Sequence, residues 1–120
     1  MRVNNQLMPL VYELSKNVHN GRIELKDAVN ELSNDGQMEI GTASDYINSF
    51  VAILKGVPHR RTINAFATRF LLKNISNDYG TERLANSVIV FSEHLTTYER
   101  LKNTTMKTQR NILNEFQQIL

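Results

Sequence analysis

The sequence predicts an all-α fold: residues 1–120 form a single helical domain of about six helices, with a loose helix-turn-helix-like segment in helices two and three. Three observations predict it. Apolar residues recur at the i, i+3, i+4, i+7 spacing of an amphipathic helix from one end of the chain to the other. The five glycines are scattered between those runs, where helices stop. No stretch keeps the period-two alternation of a half-buried strand. Val88-Ile89-Val90-Phe91 is β-prone alone but lies inside a helical seam.

Val3, Leu7, Leu10, Val11, Leu14 and Val18 share the face of a first helix. Pro9 lacks an N–H and fits only a first turn, so regular helix starts near Met8, and Asn20-Gly21 stops it. Leu25, Ala28, Val29 and Leu32 give a short second helix ended by Asp35-Gly36. In the third, Thr42 is expected as the cap with Asp45 in the capping-box position; Ile47, Phe50, Val51 and Leu54 face the core, and Gly56 with Pro58 ends it. Thr62 is expected to cap a fourth helix whose inward residues are Ile63, Phe66, Ala67, Phe70, Leu71 and Ile75, closed by Gly80. Thr81 opens a long fifth helix with a seam of Leu84, Val88, Phe91, Leu95 and Tyr98. After Asn103-Thr104-Thr105, the residues Ile112, Leu113, Phe116, Ile119 and Leu120 form a terminal helix. The apolar pattern breaks off at Ile119-Leu120, which fits either a last helix docking on the core or the N-terminal part of a longer protein.

Composition narrows the function classes. A chain of 120 residues, 41% apolar and 22% charged, builds one core and is neither disordered nor fibrous. The absence of cysteine removes disulfides, thiolate catalysis and Cys-ligated metals. No apolar run approaches the roughly 20 residues that span a bilayer, and the N-terminus has no long apolar signal-peptide region. A cytoplasmic protein that does not engage the membrane is the expectation.

Catalytic signatures are missing from the sequence. His19, His59 and His94 are far apart and form no His-x-x-x-His pair, so each is expected at the surface or the core edge. There is no Gly-rich phosphate loop, no G-x-S-x-G elbow and no HEXXH zinc motif. Asp27 and Glu31 share a helical face, but a two-metal bundle needs Glu-x-x-His pairs on facing helices. The expectation is therefore no catalytic residue, no metal and no cofactor.

The charge distribution is the most informative feature. Between Ile23 and Asp45 six residues are acidic and one, Lys26, is basic. From Tyr46 to Asn77, a span of 32 residues, there is no acid at all, yet Lys55, Arg60, Arg61, Arg69 and Lys73 are basic. Arg69 and Lys73 are i, i+4 neighbours, expected opposite the apolar stripe of Ile63, Phe66 and Phe70. Thr62 and Asn64 are expected beside them at the helix start. Guanidinium forks, a helix N-terminus and small polar side chains are what a phosphate backbone requires. This assigns DNA phosphate contacts to Lys55, Arg60, Arg61, Thr62, Asn64, Arg69 and Lys73. The bland alternative is a solvated face, or one paired with the acidic segment inside the fold. Because Phe50, Phe66 and Phe70 are placed on the core stripe, stacking on bases is not expected. A second basic group, Arg100, Lys102, Lys107 and Arg110, flanks the last linker.

Helices two and three, joined through Gly36-Gln37-Met38-Glu39-Ile40-Gly41, leave Thr42, Ser44, Asp45, Asn48 and Ser49 expected on the surface. Asn and Ser can read base edges, but the turn is longer than in DNA-binding helix-turn-helix motifs and Asp45 repels phosphate.

The run DYINSFVAILKGVPHRRTINAFATRFLLKNISNDYG, followed by LANSVIVFSEHLTTYE, resembles the N-terminal head domain of McrA-like HNH-type restriction endonucleases. The matching positions are Tyr46, Ile47, Phe50, Gly56, Arg61, Thr62, Asn64, Tyr79, Gly80, His94, Tyr98 and Glu99, and they cover about half the chain directly. His59 departs from the pattern, which has an aromatic there, usually Tyr. The resemblance implies a non-catalytic accessory domain that helps engage DNA in a modification-dependent defence system, the nuclease lying in a separate HNH module. Two rival readings stay open: a protein–protein or dimerisation module using the fifth helix and the C-terminal Phe116, Ile119 and Leu120, or a small phage-type inhibitor acting through the acidic segment.

Overall fold

A computed structural model describes residues 4–34, 37–59, 61 and 63–120. Six α-helices follow a 3-10 turn at Asn5–Leu7: α1 (Met8–His19), α2 (Leu25–Ser33), α3 (Ile40–Lys55), α4 (Ala65–Tyr79), α5 (Thr81–Lys102) and α6 (Lys107–Gln118). No strand occurs among the described residues. α1 and α2 pack on α3, while α4, α5 and α6 pack on one another; α3 against α5 and α1 against α4 join the two layers. The radius of gyration, 13.8 Å, is close to the about 13.6 Å of a compact chain of this length.

The core follows the periodic residues. Phe50, Ile47, Ile53 and Leu54 of α3 meet Phe91, Leu84 and Leu95 of α5 in the same buried cluster, with Met8, Val11 and Leu32 closing it on one side and Leu71, Leu72 and Ile75 on the other. α1 starts at Met8 with Pro9 in its first turn, as expected. Gly56 ends α3 with φ 79°, a left-handed conformation that costs glycine little and leaves its N–H on the carbonyls of Ala52 and Ile53.

Several expectations are corrected. α3 begins at Ile40, with Glu39 at the cap and the Ala43 N–H on the Glu39 carbonyl at 2.8 Å, so Thr42 is not its cap and Gly41 lies within its first turn. α4 begins at Ala65 and its cap is Asn64, whose side chain accepts from the Ala67 N–H; a cap at Thr62 is displaced, and Thr62 itself lies outside the described residues. Phe66 is 48% exposed. The buried face of α4 is Ala67, Thr68, Leu71, Leu72 and Ile75, which at about 100° per residue is centred nearly opposite Phe66. Ile119 and Leu120 are 62% and 50% exposed, so they do not complete the core, whereas Ile112, Leu113 and Phe116 do. The expected stop at Asp35-Gly36 and the apolar Val3 lie outside the described residues.

Candidate functional site

The connection from α3 to α4 carries the densest positive charge in the sequence, and three helices hold it in place. Ser49 of α3 donates to the Arg61 carbonyl at 3.3 Å, and the Tyr46 hydroxyl accepts from the Asn64 N–H at 3.0 Å. His94 of α5 donates through Nδ1 to the His59 carbonyl at 2.8 Å. Gln109 of α6 donates to the Ile63 carbonyl at 2.9 Å and accepts from Thr68 at 2.7 Å. The carbonyls of residues 59, 61 and 63 are thus tied to α5, α3 and α6 in turn, so these three residues are held against the core. Tyr46, His94 and Asn64 are positions that carry the family resemblance, and each works here as a positioning group. Ser49, expected on the surface, is buried for this reason.

His59 is buried, against expectation. Its ring stacks on His94 with centroids 3.8 Å apart and meets Phe91 edge-on at 4.7 Å. Neither of its ring nitrogens has a hydrogen-bond partner among the described residues. Burial, and then the neighbouring His94, push its pKa down to about 3, and burial also lowers that of His94. Both rings are therefore neutral at pH 7. The slot takes a planar ring.

Beside this stack lies a groove of 730 Å³, lined by Asp45, Asn48, Ser49 and Ala52 of α3 and by Pro58, His59 and Arg61 of the loop. Residues 45, 48, 52 and 55 follow helical spacing, so Lys55 continues the groove-facing stripe of α3. At that end Arg83 of α5 donates to the Leu54 carbonyl, placing a guanidinium on the negative end of α3. Lys55 and Arg83 act together on His19, whose pKa is lowered by burial and then by these two charges. Arg83 was not among the expected contacts, because it lies outside the acid-free stretch. The i, i+4 chemistry of α5 gives no sign that its side chain reaches α3.

The seven sequence-predicted residues separate into groups. Lys55, Arg61 and Lys73 are exposed and make no ion pair among the described residues. Arg69 is paired through two hydrogen bonds with Glu115 of α6, one of them 3.2 Å. Asn64 is committed to its own helix cap and to Asn5 at 3.1 Å. Arg60 and Thr62 lie outside the described residues. In the second basic group, Arg110 is bound by Glu99 at 2.7 Å and also donates to Ser92 and Thr96. Glu99 takes the Met106 N–H as well, which makes this cluster the clasp between α5 and α6.

The expected geometry of α4 also needs correcting. Phe66, Arg69 and Lys73 are spaced i, i+3, i+7 and share one outer face, so this aromatic lies beside the cations instead of opposing them, while Phe70 is partly buried against the core. The Phe66 and Phe70 rings lie nearly parallel, 6.3 Å apart.

Among the described residues no three His, Asp or Glu side chains come together as a metal site, and no helix is long and apolar enough to cross a membrane. Comparison with family models, curated proteins and solved structures gives no match to this chain.

Proposed function

We propose that this chain is a non-catalytic, DNA-engaging accessory domain, of the kind found at the N-terminus of modification-dependent HNH restriction endonucleases. The observation that carries the reading is a pair of exposed cations, Lys55 at the end of α3 and Arg61 on the loop that follows, which make no ion pair among the described residues and are joined by Arg83 of α5 at the α3 end. Exposed cations without a partner carboxylate are available to neutralise phosphates. The outer face of α4 adds Lys73 and the exposed ring of Phe66, the combination that suits unstacked nucleotides. Arg60 and Thr62, adjoining Arg61 in sequence, belong to the same proposed contact set.

Fluorescence anisotropy with duplex DNA, plain and cytosine-modified, at two salt concentrations tests the reading. The expected log–log slope is roughly −0.9 per phosphate contacted. Lys55→Glu with Arg61→Glu should abolish binding and leave the thermal melt in place, because both side chains are exposed. Binding by the doubly reversed protein would show that another face is used.

A second reading is favoured by one observation: Ile119 and Leu120 are exposed at the end of α6. In that reading the C-terminal helices form a homo-oligomer or meet a protein partner. A concentration-dependent mass in sedimentation, returned to monomer by Ile119→Asp, would support it.

A further inference from the structure

The groove on α3 has walls of opposite charge that do not neutralise each other. Asp45 on the helix and Arg61 on the loop both line it, yet they form no ion pair with each other or elsewhere among the described residues. Asn48, between them in the stripe, donates through its nitrogen to Ser44 at 3.3 Å and keeps its oxygen as a further acceptor. An acceptor-rich stripe faced by a guanidinium fits a ligand with an amino edge at one end and an anion at the other. The third wall supplies an independent observation. His59 is 5% exposed and lines the groove, and both its ring nitrogens are buried without a partner among the described residues. Buried polar atoms are seldom left so, and functional sites are where the exceptions gather.

We propose that this groove is a binding site for a single nucleotide unit bearing an amino-substituted base, cytosine or adenine. Its phosphate would sit on Arg61 and its amino edge on Asp45 and Asn48. A groove of 730 Å³ falls in the range of small-ligand sites and is concave, so it takes a nucleotide out of its stack and not the edge of an intact duplex. The inference rests on the DNA-engaging reading for one of its two ligand sources, an unstacked nucleotide within a strand. The other source is a free mononucleotide. A zwitterionic amino acid also carries both charges, but it leaves most of the groove empty and offers no flat edge.

The full chain, isotope-labelled, is titrated with dCMP, dAMP, dTMP, inorganic phosphate and glycine while amide and histidine ring signals are followed. In parallel, anisotropy compares a fully paired duplex with one carrying a single unpaired cytosine. The expected result is that dCMP and dAMP shift the signals of Asp45, Asn48, Ala52 and the His59 ring. Binding of dTMP should be about tenfold weaker, for lack of an amino donor. Asp45→Asn should erase that preference, and Arg61→Ala should weaken all nucleotides alike. Equal binding of dTMP and dCMP, stronger shifts with glycine, or an unaffected Asp45→Asn protein would overturn the assignment; Asn48→Ala repeats the test if Asp45→Asn fails to fold. Tight binding of both duplexes with no groove shifts would sink the nucleotide site and leave the DNA reading standing. Groove shifts with dCMP and no binding to either duplex would support the site with a free nucleotide as ligand and end the DNA reading.

Discussion

His59 shows how one residue can link stability to pH. Its ring is packed against His94 and Phe91 of α5, and burial and then His94 both disfavour a positive charge on it. The folded pKa of about 3 lies below the 6.5 of the free side chain, so folding favours the neutral form. The stability this contributes is fully present above pH 6.5 and is lost as pH falls toward 3. Between pH 7.5 and 5 the loss from this group is about 2 kcal/mol. The lowered pKa values of His94 and His19 act in the same direction. Urea melts at the two pH values check the sum, and His59→Phe separates its parts: a ring that cannot titrate should fill the slot and flatten the acid dependence. If the variant and the wild-type protein lose the same stability on acidification, the buried histidine is not the source. Sequence reading missed this residue because a lone histidine is at the surface or core edge more often than not. The available signal was its place directly after the apolar Val57-Pro58 pair.

At the scale of elements, the periodicity located all six helices, while their ends and one face were harder to read. Thr42 and Thr62 resemble caps because a short polar side chain before an apolar run satisfies the local rule. Local rules do not see that Ile40 and Gly41 can add a turn before Thr42, or that Tyr46 accepts the Asn64 N–H and sets the start of α4 eighteen residues away. Phe66 was placed inside by spacing alone, yet Thr68 and Leu72 face the core in its stead, and Thr68 is there because Gln109 receives its hydroxyl. Two predictions belong here. Asn64→Ala removes a cap and should cost about 1 kcal/mol in a denaturant melt; a cost near zero would mean that another group closes the first turn of α4. Gln109→Leu leaves the Ile63 carbonyl short of its partner in the core, while the Thr68 hydroxyl keeps the Asn64 carbonyl at 3.0 Å, and should cost about 1–3 kcal/mol. By freeing Ile63, two residues from Arg61, it should also lower DNA affinity at temperatures where the fold is intact. Unchanged affinity in a destabilised Gln109→Leu protein would separate the loop's anchoring from any role in binding.

At the scale of the molecule, the two helical layers decide which cations are available, and charge counting along the chain cannot tell this. Arg69 belongs to the acid-free stretch, but folding brings α6 alongside α4 and supplies Glu115 from 46 residues away. Lys55, in the same stretch, gains a second cation, Arg83, from α5. The fold therefore concentrates positive charge at the α3 end and dilutes it on α4. This leads to a discriminating variant. Glu115→Gln should leave the melt essentially where it is, because the pair is half-exposed on both sides and solvent screens it. It frees Arg69 next to Lys73 and Phe66 on the outer face of α4. If DNA lies across both faces, affinity should rise and the log–log salt slope should steepen by about 0.9, the equivalent of one more phosphate. If DNA is confined to α3 and its loop, neither quantity should move, and Arg61→Glu alone should then remove most of the binding. An affinity that falls on removing Glu115 would fit neither geometry, and would point to a partner whose own basic groups seek that carboxylate.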